Sequence, residues 1–264
     1  MEISFIGAGK MASALIRGLI QAKICEPQEI TATSKPLADA EKLAKELGIC
    51  AAETNARAAG AASVVILCVK PADAAEAIAA CGEALAGSLL ISIVAGWTTE
   101  KLSAAAPQAR VIRTMPNTAA FVGKSATAIA RGSTATDADQ KISEDIFSAV
   151  GKVFPVGENS LNAVTGLSGS GPAFIYLVME ALSDGGVEAG LPRPLAQQLA
   201  IETMAGAVEM ASSTGEHPAI LREMVTSPGG TTIAGLAELE KTAVRAAFAR
   251  AVCSATNRAR ELAE

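Results

Sequence analysis

Histidine occurs once, at His217, and aromatic residues make up only 3% of the chain. The five cysteines (Cys25, Cys50, Cys68, Cys81 and Cys253) show no paired spacing. With a single histidine beside them they assemble no familiar metal site and no disulfide framework. The expectation is therefore no metal, and buried thiols in a reducing cytoplasm. A net charge of −5 with so few stacking side chains argues against nucleic-acid binding. Long hydrophobic runs are also missing: residues 61–69 are too few to span a bilayer, and residues 85–97 are interrupted. The chain opens on a strand pattern without a charged leader or cleavage site, so no signal peptide and no membrane association are expected. What remains is abundant: the chain is 50% hydrophobic, rich in alanine, and at 264 residues long enough for one large domain or two modest ones.

The first twelve residues are the most informative. A short apolar strand carrying Ile3, Phe5 and Ile6 runs into Gly7-Ala8-Gly9-Lys10-Met11-Ala12, and a helical pattern follows through Leu15, Ile16, Leu19 and Ile20. A strand, a glycine turn and a helix N-terminus in this order form a seat for a dinucleotide pyrophosphate, with backbone N–H groups and the helix dipole facing the negative charge. Gly7 serves the tight turn, Gly9 the close approach, and Ala12 the packing of helix on strand. The second strand, at 29–33, ends in Thr33-Ser34-Lys35-Pro36 with no acid at its tip. An acid there binds a free ribose 2′-hydroxyl, whereas a hydroxyl and a lysine favour a 2′-phosphate. Ser34 and Lys35 thus point to NADP(H) over NAD(H), an ordinary solvated turn being the other reading.

Up to about residue 155 strands and helices alternate. Strands are expected at 2–6, 29–33, 64–69, 89–94, 110–114, 125–130 and 152–156, and helices at 10–22, 36–47, 72–85, 98–105 and 136–149. This pattern predicts an α/β domain, 1–157, with a Rossmann-like, doubly wound parallel sheet. Its ligand belongs beyond the carboxyl ends of the strands. Val69-Lys70-Pro71, Ala95-Gly96 and Met115-Pro116-Asn117 fall on that rim. After residue 160 the strand signal stops. Helices are expected at 162–189, 193–213, 217–225 and 232–262, forming an all-α domain, 158–264, with an apolar surface suited to dimerisation.

Carbonyl reduction needs a proton donor near the oxygen, and the helical half offers no convincing one. Lysine is missing from residue 153 to residue 240, His217 stands at a helix start, and the sole tyrosine, Tyr176, has Glu180 rather than lysine four residues on. A protonated imine avoids the problem, because hydride addition gives the amine directly. The best substrate motif is Ser227-Pro228-Gly229-Gly230-Thr231-Thr232 before a long helix. Its N–H groups can form a nest for a carboxylate, and its hydroxyls can meet an imine nitrogen. Capping of the helix by Thr231 or Thr232 is an equally open reading.

Taken together, several segments resemble the pyrroline-5-carboxylate reductase family along the whole chain. They are Gly7–Ala12, Cys68–Pro71, Ile93–Gly96, Arg113–Asn117, Thr165–Phe174, Asp184–Arg193 and the stretch from Pro218 through Thr226–Thr232 to Glu240. The resemblance implies NAD(P)H-dependent reduction of 1-pyrroline-5-carboxylate to L-proline, with NADPH as coenzyme and NADH as a second donor. It places cofactor contacts at Ile6, Gly7, Ala8, Gly9, Lys10, Met11, Ala12, Ser34, Lys35, Asn55, Cys68, Val69, Lys70, Pro71, Ala95 and Gly96. Ser227, Gly229, Gly230 and Thr231 would hold the substrate carboxylate, and Thr232 would face the imine nitrogen. Ser227 and Thr232 are thus the catalytic pair. Homodimers through the helical domain, stacked into larger rings, are also implied. Lys10 departs from the asparagine or glutamine often found after the second glycine. Two alternatives share the same pieces: a β-hydroxy-acid dehydrogenase or imine reductase of the same plan, and a non-catalytic NADPH-binding sensor.

Overall fold

Strands β1 (Ile3–Ile6), β2 (Ile30–Thr33), β3 (Cys50–Ala51), β4 (Val64–Leu67), β5 (Leu89–Ser92), β6 (Arg110–Met115), β7 (Ser125–Arg131) and β8 (Gly151–Pro155) form one sheet. Their order is β3-β2-β1-β4-β5-β6-β7-β8 in this computed structural model, which describes residues 1–263. All residues of β1, β4 and β5 are buried, as continuous apolar strands covered on both faces must be. The chain reverses its direction of travel across the sheet between β1 and β4, which pair in parallel with Phe5 opposite Ile66. A crevice for a ligand opens at such a switch point.

The helices of this part are α1 (Lys10–Gln21), α2 (Leu37–Leu47), α3 (Asn55–Gly60), α4 (Ala74–Ala79), α5 (Thr99–Ala105), α6 (Asp137–Ser148) and α7 (Leu161–Val164). Helix α1 buries Ala12, Leu15, Ile16 and Leu19 against the sheet. Each of the large aliphatic side chains contributes about 1.5–3 kcal/mol by leaving water. A methyl group at Gly18 would run into Val150 and Ala149, so α1 sits closely on the α6–β8 corner. That packing fixes the direction in which the α1 N-terminus points.

Several expectations need correction. The sheet is not wholly parallel, because β7 runs antiparallel to β6. The helix expected at 72–85 is α4 flanked by short 3-10 turns at Pro71–Asp73 and Gly82–Leu85. Strand β3 and helix α3 are additional elements, two and six residues long and too short to show a hydrophobic period. The helix expected at 162–189 is broken into α7, a π-helical turn at Thr165–Gly169 and α8 (Gly171–Glu188). The helix expected at 232–262 is two, α11 (Thr231–Lys241) and α12 (Val244–Glu261), separated at Ala243 with φ 54°. Between them in sequence lie α9 (Arg193–Thr214) and α10 (Pro218–Met224).

By packing, the chain divides into two compact units. One comprises Met1–Ser170 together with the segment from Cys253 onward, and the other Gly171–Val252. In the second unit α8 lies along α9, where the Cβ of Ala196 is 3.0 Å from the place a Cβ on Gly186 would occupy. Small residues thus allow a close helix pair. Tyr176, Leu177, Val208 and Met224 are each more than 60% exposed on the single chain. So many large apolar groups in water mark a surface made for a partner. Among the described residues no helix is long and apolar enough to cross a membrane.

Candidate functional site

The rim of the first unit is built by turns that leave the strands at their carboxyl ends. Gly7 has φ 104°, a region that L side chains rarely adopt, and its N–H donates to the Thr33 carbonyl at 2.9 Å. A Cβ there would lie 2.7 Å from the Cys68 carbonyl oxygen. The β1 turn and the β4 turn are therefore in contact, with room only for hydrogen. Gly9 is different. It caps α1 at φ −77°, an ordinary backbone, and a Cβ on it would meet no protein atom within 4 Å. Helix α1 has no side-chain cap and no acid in its first turn. Its first N–H groups therefore lack an intrahelical partner and face open space. Lys10 lies exposed at the first helical position.

The other predicted rim residues fall around this turn. Cys68 follows β4, and burial pushes its thiol well above the usual cysteine range, so it stays protonated and inert behind Gly7. Lys70 is exposed, and Pro71 lends its carbonyl to Trp97 Nε1 at 3.1 Å. The one tryptophan thereby ties the β4 and β5 loops together, a contact the sequence reading did not anticipate. Gly96 has φ 77°, and a Cβ on it would stand 2.5 Å from the Leu262 carbonyl oxygen. The returning C-terminal segment is thus sufficient reason for glycine at 96. Lys101 Nζ donates to the Ala263 carbonyl, fastening the same segment. Asn117 accepts from Ala119 N–H and donates to the Ser168 carbonyl at 3.1 Å, joining the β6 turn to the π-helical turn.

Ser34 uses its hydroxyl locally, donating to the Pro36 carbonyl at 2.7 Å and accepting from Ala40 N–H at 2.9 Å. For Ser34 the ordinary-turn reading is thereby favoured. Lys35 reaches into solvent and pairs with Glu76 of α4 at 3.1 Å. Asn55 opens α3, and its Nδ2 donates to the Ala77 carbonyl at 3.1 Å, on the same α4 helix. Arg113 belongs to the frame. It is buried and paired with Glu158 at 2.7 Å, and Glu158 also accepts from Thr99 N–H at the start of α5.

In the second unit Ser227–Thr232 lead into α11. Gly229 has φ 65°, and Gly230 is the N-cap in extended backbone with its N–H on the Ser227 carbonyl at 3.1 Å. No side chain caps α11, and no acid stands in its first turn. This overturns the reading in which Thr231 or Thr232 caps the helix. Thr231 is exposed and Thr232 half-buried. His217 is a helix cap, as its position suggested: its Nδ1 accepts from Ala219 N–H at 3.2 Å. The structure thus gathers the predicted residues into two groups, one in each unit.

A dinucleotide fits the first group. The decisive feature is Gly9, where a Cβ would fill space that no other part of the protein uses, directly before uncapped amide groups. Fold and rim together define a dinucleotide-binding α/β protein with an additional helical unit. Residues 2–96 match the family model described as NADP oxidoreductase coenzyme F420-dependent, and residues 158–262 match pyrroline-5-carboxylate reductase dimerisation. A pyrroline-5-carboxylate reductase of Arabidopsis thaliana is 43% identical over 264 residues, which is 100% of this chain and 96% of that protein. Among solved structures, a pyrroline-5-carboxylate reductase from Coxiella burnetii superposes with TM-score 0.93 at 35% identity, covering 100% of this chain and 98% of the other. The pyrroline carboxylate reductase of Plasmodium falciparum, solved with NADP bound, gives TM-score 0.91 at 29% identity, with 100% and 98% covered. The chain belongs to the pyrroline-5-carboxylate reductase family.

Proposed function

We propose that this protein reduces the C=N bond of 1-pyrroline-5-carboxylate to give L-proline, with NADPH as electron donor. The reaction rests on family membership along the full chain. The residue roles rest on one geometric observation: α1 and α11 both begin on glycine with no side-chain cap and no acid in the first turn. Each is a ready anion seat.

The turn from Ile6 to Ala12 receives the pyrophosphate, with the α1 N–H groups as donors. Lys35 and Asn55 serve the adenosine ribose and Ser34 holds the turn that carries Lys35, while Cys68–Pro71, Ala95 and Gly96 line the rest of the groove. When bound, reduced nicotinamide supplies the hydride. Ser227, Gly229, Gly230 and Thr231 hold the substrate carboxylate by hydroxyl and N–H donors, without an arginine. Thr232 sets its hydroxyl against the ring nitrogen and orients it. The protonated imine carries its own proton, so the carbon gains hydride, the nitrogen keeps its hydrogen, and no strong acid is required of the protein.

The exposed apolar groups of the helical unit support a homodimer, and stacking of such dimers into a larger ring is the further assembly that light scattering would test. The five cysteines form no disulfide, which favours a reducing compartment such as the cytoplasm. The test of the reaction is loss of the reduced-nicotinamide absorbance with pyrroline-5-carboxylate, with proline identified as product. Tight NADPH binding without turnover on any cyclic imine would favour a sensor and refute the enzyme reading. Light scattering at several concentrations measures the assembly.

A further inference from the structure

The tip of β2 carries no acid, yet the fold brings one there from elsewhere. Glu76, on α4, lies 41 positions from Lys35 in sequence and accepts from its Nζ at 3.1 Å. Both side chains are at least 75% exposed. A pair so hydrated adds little to stability, on the order of 0–1 kcal/mol, so packing gives no reason for it. The next residue in the same helical turn also matters: the Ala77 carbonyl is held by Asn55. Helix α4 therefore carries a carboxylate beside the two residues assigned to the adenosine ribose.

Resting on the NADPH reading above, we propose that Glu76 is a coenzyme-specificity residue that narrows the preference for NADPH over NADH. Its carboxylate already neutralises Lys35, the cation at the seat of a 2′-phosphate. A phosphate entering there must share or displace that lysine, with a negative group left close by. A free 2′-hydroxyl meets no such repulsion, and it can donate to the same carboxylate. Glu76 thus does from α4 what an acid at the tip of β2 does in NAD-preferring relatives of this fold. At a separation on the order of 6 Å in water, two like unit charges repel enough to change affinity about threefold. A phosphate carrying nearly two charges brings this to about tenfold at low salt.

The experiment is calorimetric titration of the full-length protein with NADPH and with NADH, in the wild type, Glu76→Gln and Lys35→Ala. Glu76→Gln is expected to tighten NADPH about threefold to tenfold at low salt and to leave NADH unchanged or weaker. The gain should shrink as ionic strength rises. Lys35→Ala should weaken NADPH selectively. If Lys35→Ala weakens NADPH but Glu76→Gln moves both coenzymes equally, or neither, the role given to Glu76 is wrong and the coenzyme seat stands. If NADPH fails to bind the wild type, or is indifferent to both substitutions, the seat itself is misplaced and the role of Glu76 falls with it.

Discussion

Replacing Gly9 by alanine should cost coenzyme affinity while leaving the apo protein almost as stable as before. The backbone at Gly9, φ −77° and ψ −172°, is open to any residue, and a Cβ there touches nothing. Alanine is a poorer N-cap than glycine, by about 0.5–1 kcal/mol. Against this, losing a glycine restricts the unfolded chain and returns about 0.4–1 kcal/mol. The two nearly cancel, so the melting temperature should move by no more than about 2 °C for a chain of this size. In the complex the same methyl group projects into the groove before the α1 amides. Crowding of that kind costs about 1–3 kcal/mol, a loss of roughly 5-fold to 150-fold in NADPH affinity. Gly7→Ala is the control. Its positive φ costs about 1–2 kcal/mol, and its Cβ, 2.7 Å from the Cys68 carbonyl, forces β1 and β4 to shift. A loss of about 3 kcal/mol, or roughly 6–12 °C, is expected before any ligand is added. Thermal melts at fixed protein concentration and NADPH titrations measure both quantities. Unchanged NADPH affinity in Gly9→Ala would refute the placement of the pyrophosphate. A melting point depressed as far as that of Gly7→Ala would refute the claim that Gly9 has no structural duty.

Other expectations follow from the same reasoning. Thr232→Val removes one hydroxyl and keeps the shape, so turnover should fall about 5-fold to 30-fold with NADPH affinity nearly unchanged; near-complete loss would make Thr232 an obligate acid. Ser227→Ala should act mainly on the Michaelis constant for the imino acid, by about 10-fold or more, as expected for a lost bond to a carboxylate. Burial acts to raise the Asp139 carboxyl, but hydrogen bonds from Thr136 and Arg110 outweigh it and hold the pKa below the usual aspartate range. Its contribution is therefore complete above the unfolded value of about 3.9 and lost as pH falls through the lower folded value. Asp139→Asn should cost about 1–3 kcal/mol in urea unfolding at neutral pH, and the gap should narrow as pH falls below the unfolded value of about 3.9. Iodoacetamide should label exposed Cys50 in the native protein, while buried Cys25 and Cys81, the latter pushed up to about 11 by burial, should react only after unfolding. Peptide mass mapping distinguishes them.

Much of this architecture can be read from local pattern because the pattern is set by burial. Val64–Leu67 announces a central strand by having no polar alternation, and the structure buries all four residues. Direction leaves no such mark. An antiparallel β7 presents the same apolar residues as a parallel one, so its reversal depends on the β6–β7 connection rather than on composition. Breaks without breakers are equally silent. Ala243 interrupts what reads as one helix, yet alanine is the best helix former, and only its φ of 54° reveals the corner. The π-helical turn at Thr165–Gly169 continues helical periodicity in the same way and leaves no gap to notice.

The glycines show why the site was only partly legible. In the sequence Gly7, Gly9 and Gly96 are all assigned to one cofactor rim. In the structure each has a different reason to lack a side chain. Gly7 is pressed by the Cys68 backbone from the neighbouring strand turn, and Gly96 by the Leu262 carbonyl 166 positions further along the chain. Both are accounted for by the protein itself, so neither needs a ligand to explain it. Of these three, Gly9 alone is explained neither by backbone strain nor by neighbouring atoms, and it stands directly before the uncapped amides of α1. The glycine that the fold does not require is therefore the stronger evidence for a bound anion. By the same logic the Lys35–Glu76 pair, too exposed to add much to stability, is the ground on which Glu76 is proposed as a coenzyme-specificity residue.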